Sequence, residues 1–343
     1  MAALSSLVVS SGRLHADPLP GRDLLKFTQA PMVNTTIVDA TGVVNVYGGH
    51  DELSTAYGFA DPTTGAIPIY QGKFMADDFA DNLNSPIVHV KWWGSYYNDV
   101  INPNFPVNKF LISFEADVPQ GPNTPFSHPG QPLLNQVVFR GPIAPGSGTF
   151  TEKLIRGPDP VVNESLYEYN AELHLGKEFP EKKDTVYWLK VVALVDVPPT
   201  IQFDPYNPPP AMTRWGWHNR DYTVQNPLAS PAVVPGESVV GTLPGGTPIW
   251  HFQDDSVQGD VRITTGGAGG LVMPDVFQPL PNMVPQKYLD FADGPGSNVP
   301  GAVGIGSFSK DLAFELFTVP EPAALGLGLL SLAGVMLGRR RAS

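Results

Sequence analysis

SLYEYNAELHL, residues 165–175, decides the fold class. Tyr167, Tyr169, Ala171, Leu173 and Leu175 alternate with Glu168, Asn170, Glu172 and His174. A period of two belongs to a β-strand, whose successive side chains leave on opposite faces. One face of this strand is apolar and the other is expected to meet water. KFLISFEADV, residues 109–118, repeats the pattern with Phe110, Ile112, Phe114 and Ala116 against Ser113, Glu115 and Asp117. TVYWLKVVALV, residues 185–195, is nearly all apolar and rich in β-branched and aromatic residues, as expected of a central strand covered on both faces. Ile87 to Trp93 and Met212 to Trp217 read as further strands. Turn formers join them: Val118 to Asn123, Arg140-Gly141-Pro142 and the long loop Asp204 to Pro210. No segment from residue 30 to 318 carries a helical period. The expectation is an all-β fold, an antiparallel two-sheet sandwich of jelly-roll type with long Pro/Gly-rich loops. Residues 17–255 are assigned to this domain, densest in core from about 70. Residues 256–318 read as a looser Gly/Pro-rich extension, with Gly266-Gly267-Ala268-Gly269-Gly270 and a last strand near Asp311 to Phe317.

Composition bounds the rest. The 37 Pro and 35 Gly make up about a fifth of the 343 residues, short of the level at which low complexity becomes the default. With 42 % hydrophobic residues, 18 Phe, 11 Tyr and 6 Trp, the chain can bury a sizeable core. Its net charge of -12 repels phosphate backbones, which argues against a nucleic-acid partner. The absence of cysteine removes disulfides, thiolate zinc sites and cysteine nucleophiles.

The most specific stretch lies at the C-terminus. Val319-Pro320-Glu321-Pro322 precedes Ala323 to Gly338, sixteen residues without a charge, and then Arg339, Arg340 and Arg341. As a helix, residues 323–338 would span about 24 Å, a short membrane crossing. The three arginines act as a cytoplasmic stop, which leaves the bulk of the chain on the other side of the membrane. In this order of motif, apolar run and basic end, residues 319–343 resemble the PEP-CTERM sorting signals of Gram-negative bacteria. The resemblance implies recognition by an exosortase, a membrane-embedded transpeptidase that cleaves near the motif and delivers the protein to the cell surface or the extracellular matrix. Prolines on both sides of Glu321 keep the segment extended and open to such an enzyme.

Export predicts an N-terminal signal peptide. Residues 1–16 are read as a degraded or truncated one: Met1 to Val9 is mildly apolar without a preceding Lys or Arg, and Leu14-His15-Ala16 offers a cleavage site. The central tract resembles an uncharacterised β-rich domain of exported proteins from planctomycete-type bacteria. The resemblance is carried by Ala76-Asp77-Asp78-Phe79, by His89 to Tyr96, and by Phe114 with Asp117-Val118-Pro119. Ser127-His128-Pro129-Gly130, Tyr187-Trp188-Leu189, Trp215-Gly216-Trp217 and Asp254-Asp255 complete it. It implies a fold and an address, and no chemistry.

Candidate chemistry comes from two residue types. Trp92, Trp93, Trp215 and Trp217 could stack on sugar rings if exposed, as a carbohydrate platform, or simply fill the core. Neighbours such as Trp92 and Trp93, or Tyr96 and Tyr97, must leave opposite faces of a strand, whereas Trp215 and Trp217 share one. The acidic pairs Asp77-Asp78 and Asp254-Asp255 are candidate ligands for a structural Ca²⁺, against the alternative of ordinary solvated turn residues. No nucleophile elbow, metalloprotease or phosphate-loop motif occurs, and the 7 histidines are scattered singly, so no catalytic residue is assigned. The leading expectation is an exported surface or matrix protein with a structural or adhesive role. A carbohydrate-binding module and a polysaccharide hydrolase stand as alternatives.

Overall fold

The computed structural model describes residues 22–33, 35–38, 44–49, 51–158, 164–229, 232–242, 246–265, 272–275, 283–285 and 311–320. The N-terminal half holds β1 (Leu24–Gln29), β2 (Thr35–Val38), β3 (Val44–Tyr47), β4 (Asp51–Leu53), β5 (Thr55–Phe59), β6 (Ile69–Phe79), β7 (His89–Tyr96), β8 (Lys109–Val118), β9 (His128–Arg140) and β10 (Thr149–Arg156). There follow β11 (Leu166–Glu172), β12 (Tyr187–Val197), β13 (Trp215–His218), β14 (Glu237–Thr242), β15 (Pro248–Phe252), β16 (Val257–Thr265), β17 (Val272–Asp275), β18 (Met283–Pro285) and β19 (Phe314–Thr318). The only helical element among the described residues is a 3-10 turn at Tyr97–Asp99. The fold is all-β, as the alternation predicts.

Fifteen strands join in one large sheet, with the order β1-β19-β7-β11-β10-β9-β8-β12-β5-β6-β16-β17 along its main path. β2 with β3, and β14 with β15, form two small hairpins. The expectation of purely antiparallel pairing is corrected: β12 runs parallel to β5, and β10 runs parallel to β9 over two residue pairs. β12 also explains a fork. Its first half, Tyr187 to Val191, pairs with β6, and its second half, Ala193 to Val197, pairs with β5. β7 is shared in the same way, its start bonded to β19 and its end to β13, with β11 along the other edge.

β12 is buried on both faces, as its composition requires. Tyr187, Leu189, Val191, Ala193 and Val195 enter one core with Trp92, Phe110, Phe150 and Tyr169. Trp188, Val192 and Leu194 enter a second core with Phe74, Val257, Val261 and Ile263. This second core is enclosed because the strands curl until β17 lies against β9. β16 and β19 both lie beyond residue 255, and both hydrogen-bond within the main sheet.

One expectation about β11 is overturned. Glu168, Asn170 and Glu172 form its polar face, and all three are buried, whereas Leu175, placed with the apolar set, lies past the strand and is 82 % exposed. The polar face of β7 and β11 is therefore an interior surface rather than a wet one, and it carries the sites described next.

The helix expected over residues 323–338 lies outside the described residues, as do the signal-peptide segment, Glu321, Pro322 and Arg339 to Arg341. Among the described residues no helix is long and apolar enough to cross a membrane.

Candidate functional site

At the end of β7 the chain turns sharply. Asn98 and Asp99 take successive positive φ angles of 52° and 54°, a left-handed conformation that Asn and Asp tolerate best among side-chain-bearing residues. Three hydrogen bonds hold it. Asp99 accepts from the Ser165 backbone N–H at 3.0 Å and from its hydroxyl at 2.8 Å, and Glu164 accepts from the Asn98 N–H at 3.1 Å. The turn throws Tyr97 outward, 48 % exposed, and the Arg214 guanidinium lies 3.9 Å above its ring. Backbone strain held in place beside a cleft is characteristic of functional sites.

Beside this turn lies a cavity of about 290 Å³, whose wall includes Asp51, Glu52, Ser95, Glu164, Arg214 and Gln258. Two glycines make room for it. A Cβ on Gly216 would come within 2.8 Å of the Asp51 Cβ, and one on Gly94 would meet the Gly216 carbonyl at 2.3 Å, so β4, β13 and β7 can lie this close only without those side chains. Asp51 is oriented by His218, whose Nδ1 lies 3.2 Å from the carboxylate while Nε2 faces the Met32 carbonyl at 2.9 Å. Burial, and then repulsion from Asp51, push Glu164 up to about 7 against the hydrogen bonds from Asn98 and Ser95. Near neutral pH the pocket thus offers a carboxyl that both donates and accepts, ionisable carboxylates, an amide, a guanidinium and an exposed aromatic ring. That set matches a polyhydroxylated ligand.

The four tryptophans do not form a platform. Trp92, Trp93, Trp215 and Trp217 are all buried. Trp92 stacks on Tyr169 at 5.4 Å, and Trp93 packs with Leu166 and Ala313. The Trp215 ring packs edge-on against Phe110 and Tyr169, although the residue also borders the cavity. Trp217 donates from Nε1 to the Ala313 carbonyl at 2.9 Å. The core takes them because a large chain without disulfides needs their apolar area. The exposed aromatic at the cavity is Tyr97, which the sequence marks only by the Asn98-Asp99 turn behind it.

The acidic pairs are also displaced from expectation. Asp77 and Asp78 are fully buried on opposite faces of β6, not solvated at its end. Asp77 accepts from the Leu312 N–H at 2.6 Å. Neither oxygen of Asp78 has a hydrogen-bond partner. Burial raises Asp78 well above the usual carboxylate range, and repulsion from Asp77, Asp254, Asp311 and Asp117 adds to this. Asp254 is raised by burial, partly offset by Ser127. Asp77, Asp78, Asp254 and Asp255 do not converge on one centre. Among the described residues, the group of three or more metal-ligating side chains that does converge is Asp23, His89 and Glu172, whose ligand atoms all lie within 4.8 Å of one another. Sequence reading missed it because Asp23, before β1, meets Glu172 only after β1, β19, β7 and β11 have assembled.

A further buried network ties the last strand down. Asp311 accepts from Arg220 at 3.1 Å, from His251 at 2.6 Å and from the Phe252 N–H at 3.0 Å, while Arg220 also reaches Glu237. Val319 and Pro320 follow directly from β19, at the end of the described chain.

The family model described as Domain of unknown function (DUF7901) matches residues 26–250, about two thirds of the chain, and the chain belongs to this family. The match takes in every cavity residue named above except Gln258. No curated protein and no solved structure matches the chain.

Proposed function

For this DUF7901 protein we propose the role of an exported cell-surface or matrix adhesion component whose β domain binds a carbohydrate at the Glu164 cavity. The observation that carries the binding half is the exposed Tyr97 ring, braced by Arg214 at 3.9 Å beside Asp51, Glu52 and Glu164. A sugar ring gains apolar contact on such an aromatic face, and its hydroxyls find acceptors and donors in the carboxyls and the Gln258 amide.

The address half rests on the tail. In this reading an exosortase recognises Val319-Pro320-Glu321-Pro322, residues 323–338 cross the membrane, and Arg339, Arg340 and Arg341 stop in the cytoplasm. β19 supports the reading mechanically, because it is hydrogen-bonded on both edges, to β1 and β7, so a tether leaving Thr318 pulls on the interior of a sheet. A sandwich-like packing belongs to the same proposal: Trp92 and Tyr169 on β7 and β11 meet Phe110 on β8 edge to face, at 5.1 and 5.2 Å, as two facing layers would.

A glycan array probed with the purified chain tests the binding half. Binding to one polysaccharide class, lost in Tyr97→Ala and weakened in Glu164→Gln without loss of folding, is the expected result. Silence of a cooperatively folded chain across the array removes the carbohydrate reading. Release of reducing ends during incubation would replace adhesion by hydrolysis, with Glu164 as the acid. For the address, cell fractionation of a Glu321→Ala variant is expected to show loss of surface display.

A further inference from the structure

We infer that Asp23, His89 and Glu172 bind one divalent metal ion of the zinc class, which staples the first strand to the middle of the sheet. The inference uses residues remote from the Glu164 cavity and does not depend on carbohydrate binding.

The orientation of the Asn170 amide fixes the tautomer of His89. Asn170 donates from Nδ2 to Glu168 at 3.0 Å, so its Oδ1 is the atom facing His89 Nε2, at 3.3 Å. An oxygen acceptor there places the ring hydrogen on Nε2. The lone pair of a neutral His89 is then on Nδ1. That nitrogen lies 3.1 Å from Glu172 Oε1 and 3.8 Å from Asp23 Oδ2. Three lone-pair atoms thus point into one space.

The remaining contacts engage Glu172 Oε1 in part, through Arg22, and leave Asp23 Oδ2 untouched. Arg22 takes Asp23 Oδ1 at 2.5 Å and also reaches Glu172 Oε1, and the Gly146 N–H takes Glu172 Oε2 at 3.2 Å. Asp23 Oδ2 has no hydrogen-bond partner, although the Asp23 side chain is 0 % exposed. An unpartnered buried carboxylate oxygen facing an imidazole nitrogen calls for a cation between them. Two carboxylates against one guanidinium leave the centre net negative, which attracts a divalent ion. One imidazole nitrogen with two carboxylate oxygens is a zinc-class donor set and a poor one for Ca²⁺, which takes oxygen ligands. Asn170 then acts as the outer partner that orients a ligating histidine.

The placement gives the ion a structural task. His89 opens β7 and Glu172 closes β11, directly opposite each other in the antiparallel register. Asp23 precedes β1, which reaches β7 only through β19. The ion would therefore tie the residue that leads into β1 to β7 and β11.

The test uses the full-length chain, dialysed against EDTA and titrated with Zn²⁺ or Ca²⁺ by calorimetry and thermal melting. One Zn²⁺ per chain is expected, with a Tm rise of about 3 °C or more at saturating metal and no rise with Ca²⁺. Asp23→Asn keeps the size and the acceptor for Arg22, and should weaken Zn²⁺ binding at least tenfold. His89→Gln should abolish it. A folded chain that takes up no Zn²⁺ overturns the inference, and the proton that Nδ1 then carries would appear by ¹⁵N NMR. Binding that persists unchanged in Asp23→Asn puts the ion elsewhere and overturns it equally, even if His89→Gln fails to fold.

Discussion

Glu172, at the end of β11, and Asp78, near the end of β6, are buried alike, 1 % and 0 % exposed, yet one is surrounded by donors and the other by acids. Burial opposes the charge of Glu172, but hydrogen bonds, those from Arg22 and the Gly146 N–H among them, outweigh it and hold the carboxyl below its ordinary value. Around Asp78 burial raises the carboxyl first, no hydrogen-bond donor offsets it, and four further aspartates add to the rise. Glu164 stands between them, with an N–H at 3.1 Å, a hydroxyl at 3.5 Å and a value of about 7. Burial raises all three acids, and the supply of donors decides how far that rise is offset in this sheet.

The largest effect expected from this contrast is at Glu172. Glu172→Ala leaves Arg22 and the Gly146 N–H without their buried acceptor, and should cost about 3–5 kcal/mol in urea unfolding at pH 7. A cost below about 1 kcal/mol would mean that the donors relax onto other acceptors, and the contrast would lose its paired limb.

Asp78→Asn should move stability the other way. It replaces a carboxyl whose charge is opposed by burial and by neighbouring acids with a neutral amide of the same shape, and should stabilise the fold by about 1–3 kcal/mol at pH 8, fading toward zero near pH 4. Destabilisation at every pH would reveal a partner that depends on the carboxyl. The whole chain should show the same sign. Glu181 is pushed up to about 9, by burial first and then by Asp81, with Lys26 opposing. Between the ordinary carboxyl value of 4.5 and about 9 the folded chain keeps a proton that the unfolded chain has released, so this contribution is complete below 4.5 and is lost as pH rises. Glu164 adds the same trend up to about 7. The urea midpoint should therefore fall from pH 5 to pH 8, and Glu181→Gln should flatten the fall.

Much of this architecture is legible in the sequence. The unbroken apolar run of β12 announces a strand covered on both faces, and the alternation of β8 and β11 announces the sheet. The alternation of β11 cannot say what lies over Glu168, Asn170 and Glu172, because a polar face reads the same whether water or ion pairs satisfy it. His89 looks like a lone histidine for the same reason. Its partner Glu172 is 83 residues away, and Arg22 reaches that carboxylate across 150. Trp92 and Trp93 mislead because adjacency fixes only opposite faces, and at β7 both faces are interior. Asp77-Asp78 misleads because an acidic pair reads as a turn unless the extent of β6 is known. Tyr97 is the reverse case, a residue whose exposure follows from the two positive φ angles behind it.

The smallest expected effect tests whether donor supply is graded rather than all-or-none. Ser95→Ala removes the weaker of the two hydrogen bonds to Glu164, the hydroxyl at 3.5 Å, and leaves the Asn98 N–H at 3.1 Å in place. A hydrogen bond to the ionised form favours ionisation, so its loss should raise Glu164 above 7 by a fraction of a unit, at a stability change within about 0.5 kcal/mol. Carbon-13 NMR of the labelled Glu164 carboxyl reads the shift directly. An upward move places Glu164 one donor closer to Asp78 on the same scale. A downward move would mean that the hydroxyl serves the protonated form, and that repulsion from Asp51, rather than the count of donors, sets the middle of the series.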